Sequence, residues 1–188
     1  KNNILKCADI KMKRRKLKLE ELNRINVKEF QEAEKIPLIV VLDNVRSQNN
    51  IGSVFRTCDA FRIEEVILCG ITATPPNAEI HKTALGAEDS VKWRYFNDTI
   101  SVVQLLKQEG YQVFSIEQAE NSQSLESVEL DKSKRYVVIF GHEVHGVQQE
   151  VVNDSNCCIE IPQFGTKHSL NVSVSAGIVI WDFFNKLK

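Results

Sequence analysis

At 188 residues the chain amounts to one domain plus an extension, and with 43% hydrophobic and 26% charged residues it is globular rather than disordered or fibrous. The longest apolar run, around Ile36–Leu42, is far below the ~18 residues of a membrane span, and nothing at the start reads as a signal peptide. The net charge of −1 argues against a polyanionic partner only when taken whole: residues 1–35 hold eleven Lys/Arg and six Asp/Glu, a net +5, and the remainder nets −6.

The basic groups crowd at Lys11, Lys13, Arg14, Arg15, Lys16 and Lys18, a run that is either a solvated tail or a phosphate-docking arm. Leu19, Leu22, Asn26 (polar), Phe30 and Ala33 then fall near helical spacing, which predicts an amphipathic helix over residues 17–35, ended by Pro37. Leu38–Leu42 is a continuous apolar run, as expected of a strand buried on both faces. A helix over Asn50–Phe61 and a strand over Glu65–Cys69 follow. Thr72–Asn77 is a loop, a helix starts near Ala78, and a strand covers Val91–Phe96. Asp98 or Thr99 caps a helix that Gly110 terminates. Tyr111–Ile116 is a strand, 117–131 is polar and irregular with one short helix, and Tyr136–Phe140 is a core strand. Gly141–Gly146 turns into a short helix near Val147–Val151. Cys157–Ile161 is the last strand, and Leu170–Lys188 a long apolar helix. The alternation predicts an α/β fold with a mostly parallel sheet flanked by helices.

The five cysteines contain no Cys-x-x-Cys pair, so free thiols in a reducing cytoplasm are expected, and no zinc site. The histidines of His142-Glu-Val-His145 are three apart, which does not fit the metalloprotease motif, and no metal is expected there. No Gly-x-Gly-x-x-Gly follows the first strand and no phosphate-binding P-loop occurs. Ser169 beside His168 is poor geometry for a nucleophile and its base.

In parallel sheets ligands gather in the loops after the strands, and three such loops here are rich in glycine and polar residues. The first carries Asn50-Ile-Gly-Ser-Val-Phe-Arg56, the second Gly141-His-Glu-Val-His-Gly146, and the third Ile161-Pro162 followed by Ser169-Leu170-Asn171. Each alone is compatible with turns and caps. In this order, each after a predicted strand, they make the chain from Pro37 to Lys188 resemble the SpoU (TrmH-type) branch of the SPOUT methyltransferases.

The resemblance implies residues 37–188 as an S-adenosylmethionine-dependent methyltransferase domain with a C-terminal trefoil knot; the basic helical arm that precedes it, 1–36, is read from its charge and spacing alone. It implies a homodimer that transfers a methyl group to a ribose 2′-hydroxyl of tRNA or rRNA, guanosine being favoured. Asn50, Arg56, Glu143, Ser169 and Asn171 match the family's catalytic positions. Phe140, Gly141, Gly146, Ile161, Pro162, Gly165, Ser169 and Leu170 are the expected cofactor contacts. Lys13, Arg14, Arg15, Lys16 and Arg56 are the expected RNA contacts.

A guanidinium hardly ever gives up its proton, so Arg56 is better read as a bidentate phosphate clamp than as a base. Glu143 is expected to anchor Asn50 or a neighbouring backbone amide. Ser169 is either a helix cap or a contact to the nucleotide or the methionine end of the cofactor. Lys82–Ala87 is expected to pack beside the first motif. The excess of apolar residues on the last helix fits a dimer interface. Two alternatives stand beside this reading. A knotted RNA-binding module without catalysis is disfavoured by the five intact motif residues, and a nucleotide-dependent oxidoreductase by the missing glycine fingerprint.

Overall fold

The computed structural model describes residues 15–188; Cys7, Lys13 and Arg14 lie outside the described residues. The helix expected over 17–35 is not continuous. A 3-10 turn at Leu19–Leu22 ends at Asn23, whose φ is +48°. Asn26 then opens a new helix, α1 (Val27–Glu32). Its side chain accepts the Glu29 N–H at 3.0 Å, and the Glu29 carboxylate accepts the Asn26 N–H at 2.8 Å. This reciprocal cap satisfies two backbone donors at a helix start. Phe30 enters the core, whereas Leu17, Leu22, Ile25 and Val27 stay exposed.

The rest is seven parallel strands and six helices: β1 (Ile36–Asp43), α2 (Gln48–Ala60), β2 (Ile63–Cys69), α3 (Ala78–Ala84), α4 (Ala87–Ser90), β3 (Trp93–Phe96), α5 (Thr99–Gln108), β4 (Tyr111–Ile116), β5 (Gln123–Ser124), β6 (Arg135–Phe140), α6 (Gln149–Asp154), β7 (Cys157–Glu160) and α7 (Val172–Leu187). The sheet order is β3-β2-β1-β6-β4-β7-β5. β6 is therefore inserted between β1 and β4, with Leu38 opposite Tyr136 and Val113 opposite Val137.

Alternate residues of each strand feed two cores, because side chains along a strand point to opposite faces. Leu38, Val40, Leu42, Val138 and Phe140 pack with Ile51, Phe55, Val179 and Phe183 of α2 and α7. Ile39, Val41, Val137 and Ile139 pack with Val102, Leu106 and Val151 of α5 and α6. The expected stretch beside the first motif is in place. The Thr83 hydroxyl donates to the Asn49 carbonyl at 2.9 Å, and a Cβ on Gly52 would stand 2.2 Å from the Ile80 carbonyl oxygen. Only glycine lets the two helices approach this closely.

Candidate active site

The loops after β1, β6 and β7 meet at the carboxyl edge of the sheet. There the second and third motif loops, together with the ends of β4 and β7, line a cavity of about 610 Å³, within the range of small-molecule sites. Asp43, fully buried at the end of β1, ties that strand end to the start of α5 and to the segment after the second motif loop. Its carboxylate accepts the Thr99 hydroxyl at 2.6 Å, the Gln148 backbone N–H at 2.9 Å, and the Gln148 and Asn44 side-chain amides at 2.7 and 2.9 Å. A buried carboxylate needs this many donors to offset its lost hydration.

Glu143, from the second loop, holds the first. Its carboxylate accepts the backbone N–H of Arg46 at 3.0 Å and of Ser47 at 2.8 Å, and the Asn50 side-chain amide at 3.1 Å. Burial pushes the Glu143 carboxyl up, but these donors outweigh it and hold the group below the ordinary carboxylate range. Glu143 thus grips both Asn50 and the neighbouring amides. The Asn50 carbonyl oxygen in turn accepts the Asn171 side-chain amide at 3.2 Å. One chain of hydrogen bonds joins the three motifs.

Asn171, not Ser169, caps α7. Its side-chain oxygen accepts the Ser173 N–H at 2.9 Å. The helix begins only at Val172, which leaves Ser169 and Leu170 in the exposed loop, facing the cavity.

Phe140, Gly141, Gly146, Ile161, Ser169, Leu170, Glu143 and Asn171 line the cavity; Asn50 sits one hydrogen bond behind them; Pro162 and Gly165 lie outside the lining. Arg56 lies outside it too, exposed on α2 in one stripe with Asn49 and Ser53. Arg15 forms a bidentate pair with Glu21 at 2.7 and 2.8 Å, and Lys16 is exposed.

The glycines owe their place first to the loop itself. A Cβ on Gly141 would lie 2.0 Å from the Gly146 carbonyl carbon, and Gly146 has φ +67°. The short helix expected near Val147 starts two residues later, at Gln149, because the backbone of its cap, Gln148, is extended (ψ 137°); the Val147 N–H is taken by a side chain that follows another strand.

That side chain is Glu117, which belongs to none of the three motifs. Glu117 and Gln118, directly after β4, line the cavity. The Glu117 carboxylate accepts the Val147 N–H at 3.0 Å, and the Gln118 side-chain amide donates to the His168 carbonyl at 2.6 Å. The rule that ligands gather after parallel strands, applied to Tyr111–Ile116 as to the other strands, points at both residues. The His142 and His145 ring centroids lie 4.8 Å apart with the planes tilted by 33°, and His142 Nδ1 accepts the Val144 N–H at 3.0 Å. Among the described residues no three His, Cys, Asp or Glu side chains gather as a metal site.

The model of the SpoU rRNA Methylase family matches residues 37–181. A tRNA (guanosine(18)-2′-O)-methyltransferase of Thermus thermophilus is 30% identical over 162 residues, covering 86% of this chain and 81% of the relative. A 23S rRNA (guanosine-2′-O-)-methyltransferase of Nitrosomonas europaea is 32% identical over 149 residues, covering 79% and 56%. Of solved structures, the A. aeolicus TrmH/SpoU tRNA modifying enzyme superposes with a TM-score of 0.74 at 27% identity, over 85% of this chain and 81% of that one. An AdoMet-bound rRNA methyltransferase from Sinorhizobium meliloti gives 0.75 at 26% identity, over 85% and 60%.

Proposed function

Because the chain belongs to the SpoU methylase family, whose model it matches from residue 37 to 181, we propose that it transfers a methyl group from S-adenosylmethionine to a ribose 2′-hydroxyl of tRNA or rRNA, with guanosine the favoured nucleoside. The observation that carries this reading is the hydrogen-bond chain Glu143–Asn50–Asn171, which ties the first motif to the second and third at the cavity those two line.

The residues present fit the cofactor. Phe140, Ile161 and Leu170 offer apolar walls for a purine, and the cavity has room for a nucleoside with a short tail. When bound, the sulfonium supplies an electrophilic methyl group. The protein's share is alignment and electrostatics. Arg56, always charged, clamps a phosphate of the RNA next to the target ribose and favours loss of the hydroxyl proton. Ser169 and Asn171, at the mouth of the cavity, contact the target nucleotide or the methionine end of the cofactor. Glu143 is a positioning residue. It holds the start of α2, the helix on which Arg56 stands.

Residues 37–188 are the catalytic domain, and 1–36 an arm that adds positive charge for RNA. The inserted order β1-β6-β4-β7 supports a knotted C-terminal segment. Val174, Ile178 and Trp181 run at helical spacing along the outer side of α7, each about 40–50% exposed, and are the face on which two copies pair.

No helix among the described residues is long and apolar enough to cross a membrane. Cys58, Cys69, Cys157 and Cys158 are free thiols, and burial pushes the Cys69 thiol up to about 12, leaving it inert. Free thiols, and relatives that act on tRNA and rRNA, support work in the reducing cytoplasm. Calorimetric titration with S-adenosylmethionine, followed by transfer of its labelled methyl group to unmodified tRNA and rRNA, tests the proposal. Saturable binding and alkali-resistant ribose labelling are expected; no binding at millimolar cofactor overturns it.

A further inference from the structure

Glu117 stands at the carboxyl end of β4, a strand end that carries none of the three motif loops. Its carboxylate is fixed from two sides. One oxygen, Oε2, accepts the Val147 N–H at 3.0 Å, and the other, Oε1, accepts the Gln118 N–H at 2.9 Å. The next residue reaches the opposite wall, where the Gln118 amide donates to the His168 carbonyl at 2.6 Å. The end of β4 therefore ties the second motif loop to the third.

An ionised carboxylate has about four acceptor positions. Glu117 spends two on backbone donors and keeps two, on a side chain that lines the cavity. Gly146 is fitted to it: a Cβ there would stand 2.0 Å from Glu117 Oε2, so the glycine leaves the carboxylate its place at the cavity.

Glu143 lacks the two free positions a diol needs, since three N–H donors from the first loop and α2 already bind its oxygens. Glu160 lines the cavity from the end of β7, but no backbone N–H among the described residues orients its carboxylate. A nucleoside presents its ribose as two neighbouring hydroxyl donors. In open α/β sheets ligands bind at the carboxyl ends of the strands, and in dinucleotide-binding sheets of the Rossmann type it is an acidic side chain that takes the ribose hydroxyl; Glu117 offers the same group at the end of β4.

We propose that Glu117 is a cofactor-binding residue whose carboxylate accepts the ribose hydroxyls of the S-adenosyl group, an inference that rests on the methyltransferase reading above. Glu117 then sets the choice of a ribonucleoside cofactor and couples its arrival to the clasp on Gly146 and Val147.

The experiment is calorimetric titration of wild type, Glu117→Gln and Glu160→Gln with S-adenosylhomocysteine and with its 2′,3′-dideoxy analogue. Wild type is expected to prefer the hydroxylated ligand by about tenfold or more, the effect of hydrogen bonds to a charged acceptor. Glu117→Gln keeps an amide oxygen for the Val147 N–H. It should lose about tenfold for S-adenosylhomocysteine and stay within about twofold for the analogue, whose binding also reports that the variant is folded. Equal losses for both ligands, or a wild type indifferent to the hydroxyls, overturn the inference. So does a selective loss in Glu160→Gln instead. Failure of the wild type to bind either ligand overturns the methyltransferase reading itself and this inference with it.

Discussion

Asn171 and Asn50, 121 positions apart in sequence, meet side chain to side chain: the Asn171 amide donates to the Asn50 carbonyl oxygen at 3.2 Å while its own oxygen caps α7. Asn171→Ala removes both bonds. Loss of the cap alone costs about 1 kcal/mol, so urea unfolding should show a drop of about 1–2 kcal/mol. Methyl transfer should fall further than that stability change accounts for, because the first motif loses its link to the third. A variant of unchanged activity would reduce the contact to a helix cap.

Arg56→Ala removes an exposed charge that lies outside the cavity lining. Stability should therefore move by less than about 0.5 kcal/mol, as for exposed sites generally. Cofactor affinity should stay within a few-fold while transfer is abolished. Arg56→Lys should restore little, because an ammonium cannot clamp a phosphate bidentately. Large loss of cofactor binding in a calorimetric titration would reassign the residue.

Glu143 makes stability depend on acidity. Burial raises its pKa, yet the Arg46, Ser47 and Asn50 donors win and leave it depressed in the folded protein. A depressed native pKa means the bonds stabilise the fold wherever the unfolded carboxyl is ionised, above about pH 4.3. That contribution fades as the pH falls through the lower native value. Urea midpoints between pH 7 and 3 should fall for the wild type and fall less for Glu143→Gln, whose stability at pH 7 is already lower.

Deletion of residues 1–18 removes eight basic groups and one acidic. RNA affinity should weaken, and the slope of log K against log salt should flatten by roughly 0.7–0.9 for each phosphate that the arm no longer neutralises. Filter binding at several salt concentrations measures both. An unchanged slope would make the segment a solvated tail.

Ile178→Glu places a charge in the middle of the exposed stripe on α7. Fully burying a side chain of the Val or Ile class is worth about 1.5–3 kcal/mol, so one charge at its centre should turn dimers into monomers at micromolar concentration. Sedimentation velocity gives the answer. A wild type that sediments as a monomer would remove the interface from the proposal.

Much of the fold is written in local pattern. Leu38–Leu42 and Tyr136–Phe140 declare themselves because each is a short continuous apolar run rich in β-branched or aromatic residues, too short for a buried helix. The motif loops are legible because each follows such a strand.

What escapes local pattern is decided between distant residues or between near-equals. Asn26 outcompetes a continuous helix because Glu29 reciprocates its bond, and Asn171 outcompetes Ser169 because it sits two residues from the free Ser173 N–H. Glu117 has no sequence motif around it; its meaning lies in Val147, 30 residues away. Arg56 is recognised by type and spacing, but only the fold reveals that it stands apart from the cavity lining.

The strand order has a consequence in time. A growing chain makes β1, β2, β3 and β4 before β6 exists, yet β1 and β4 are neighbours only through β6. Until residue 140 is synthesised, one edge of β1 presents unpaired N–H and C=O groups, open to wrong partners. The last strand, β7, then has to find its place between β4 and β5, which are both already present. The methyl-donor cavity is thus the final part of the molecule to come into being. A nascent chain stalled before β7 holds two of the three motifs and lacks the wall that closes them into a site.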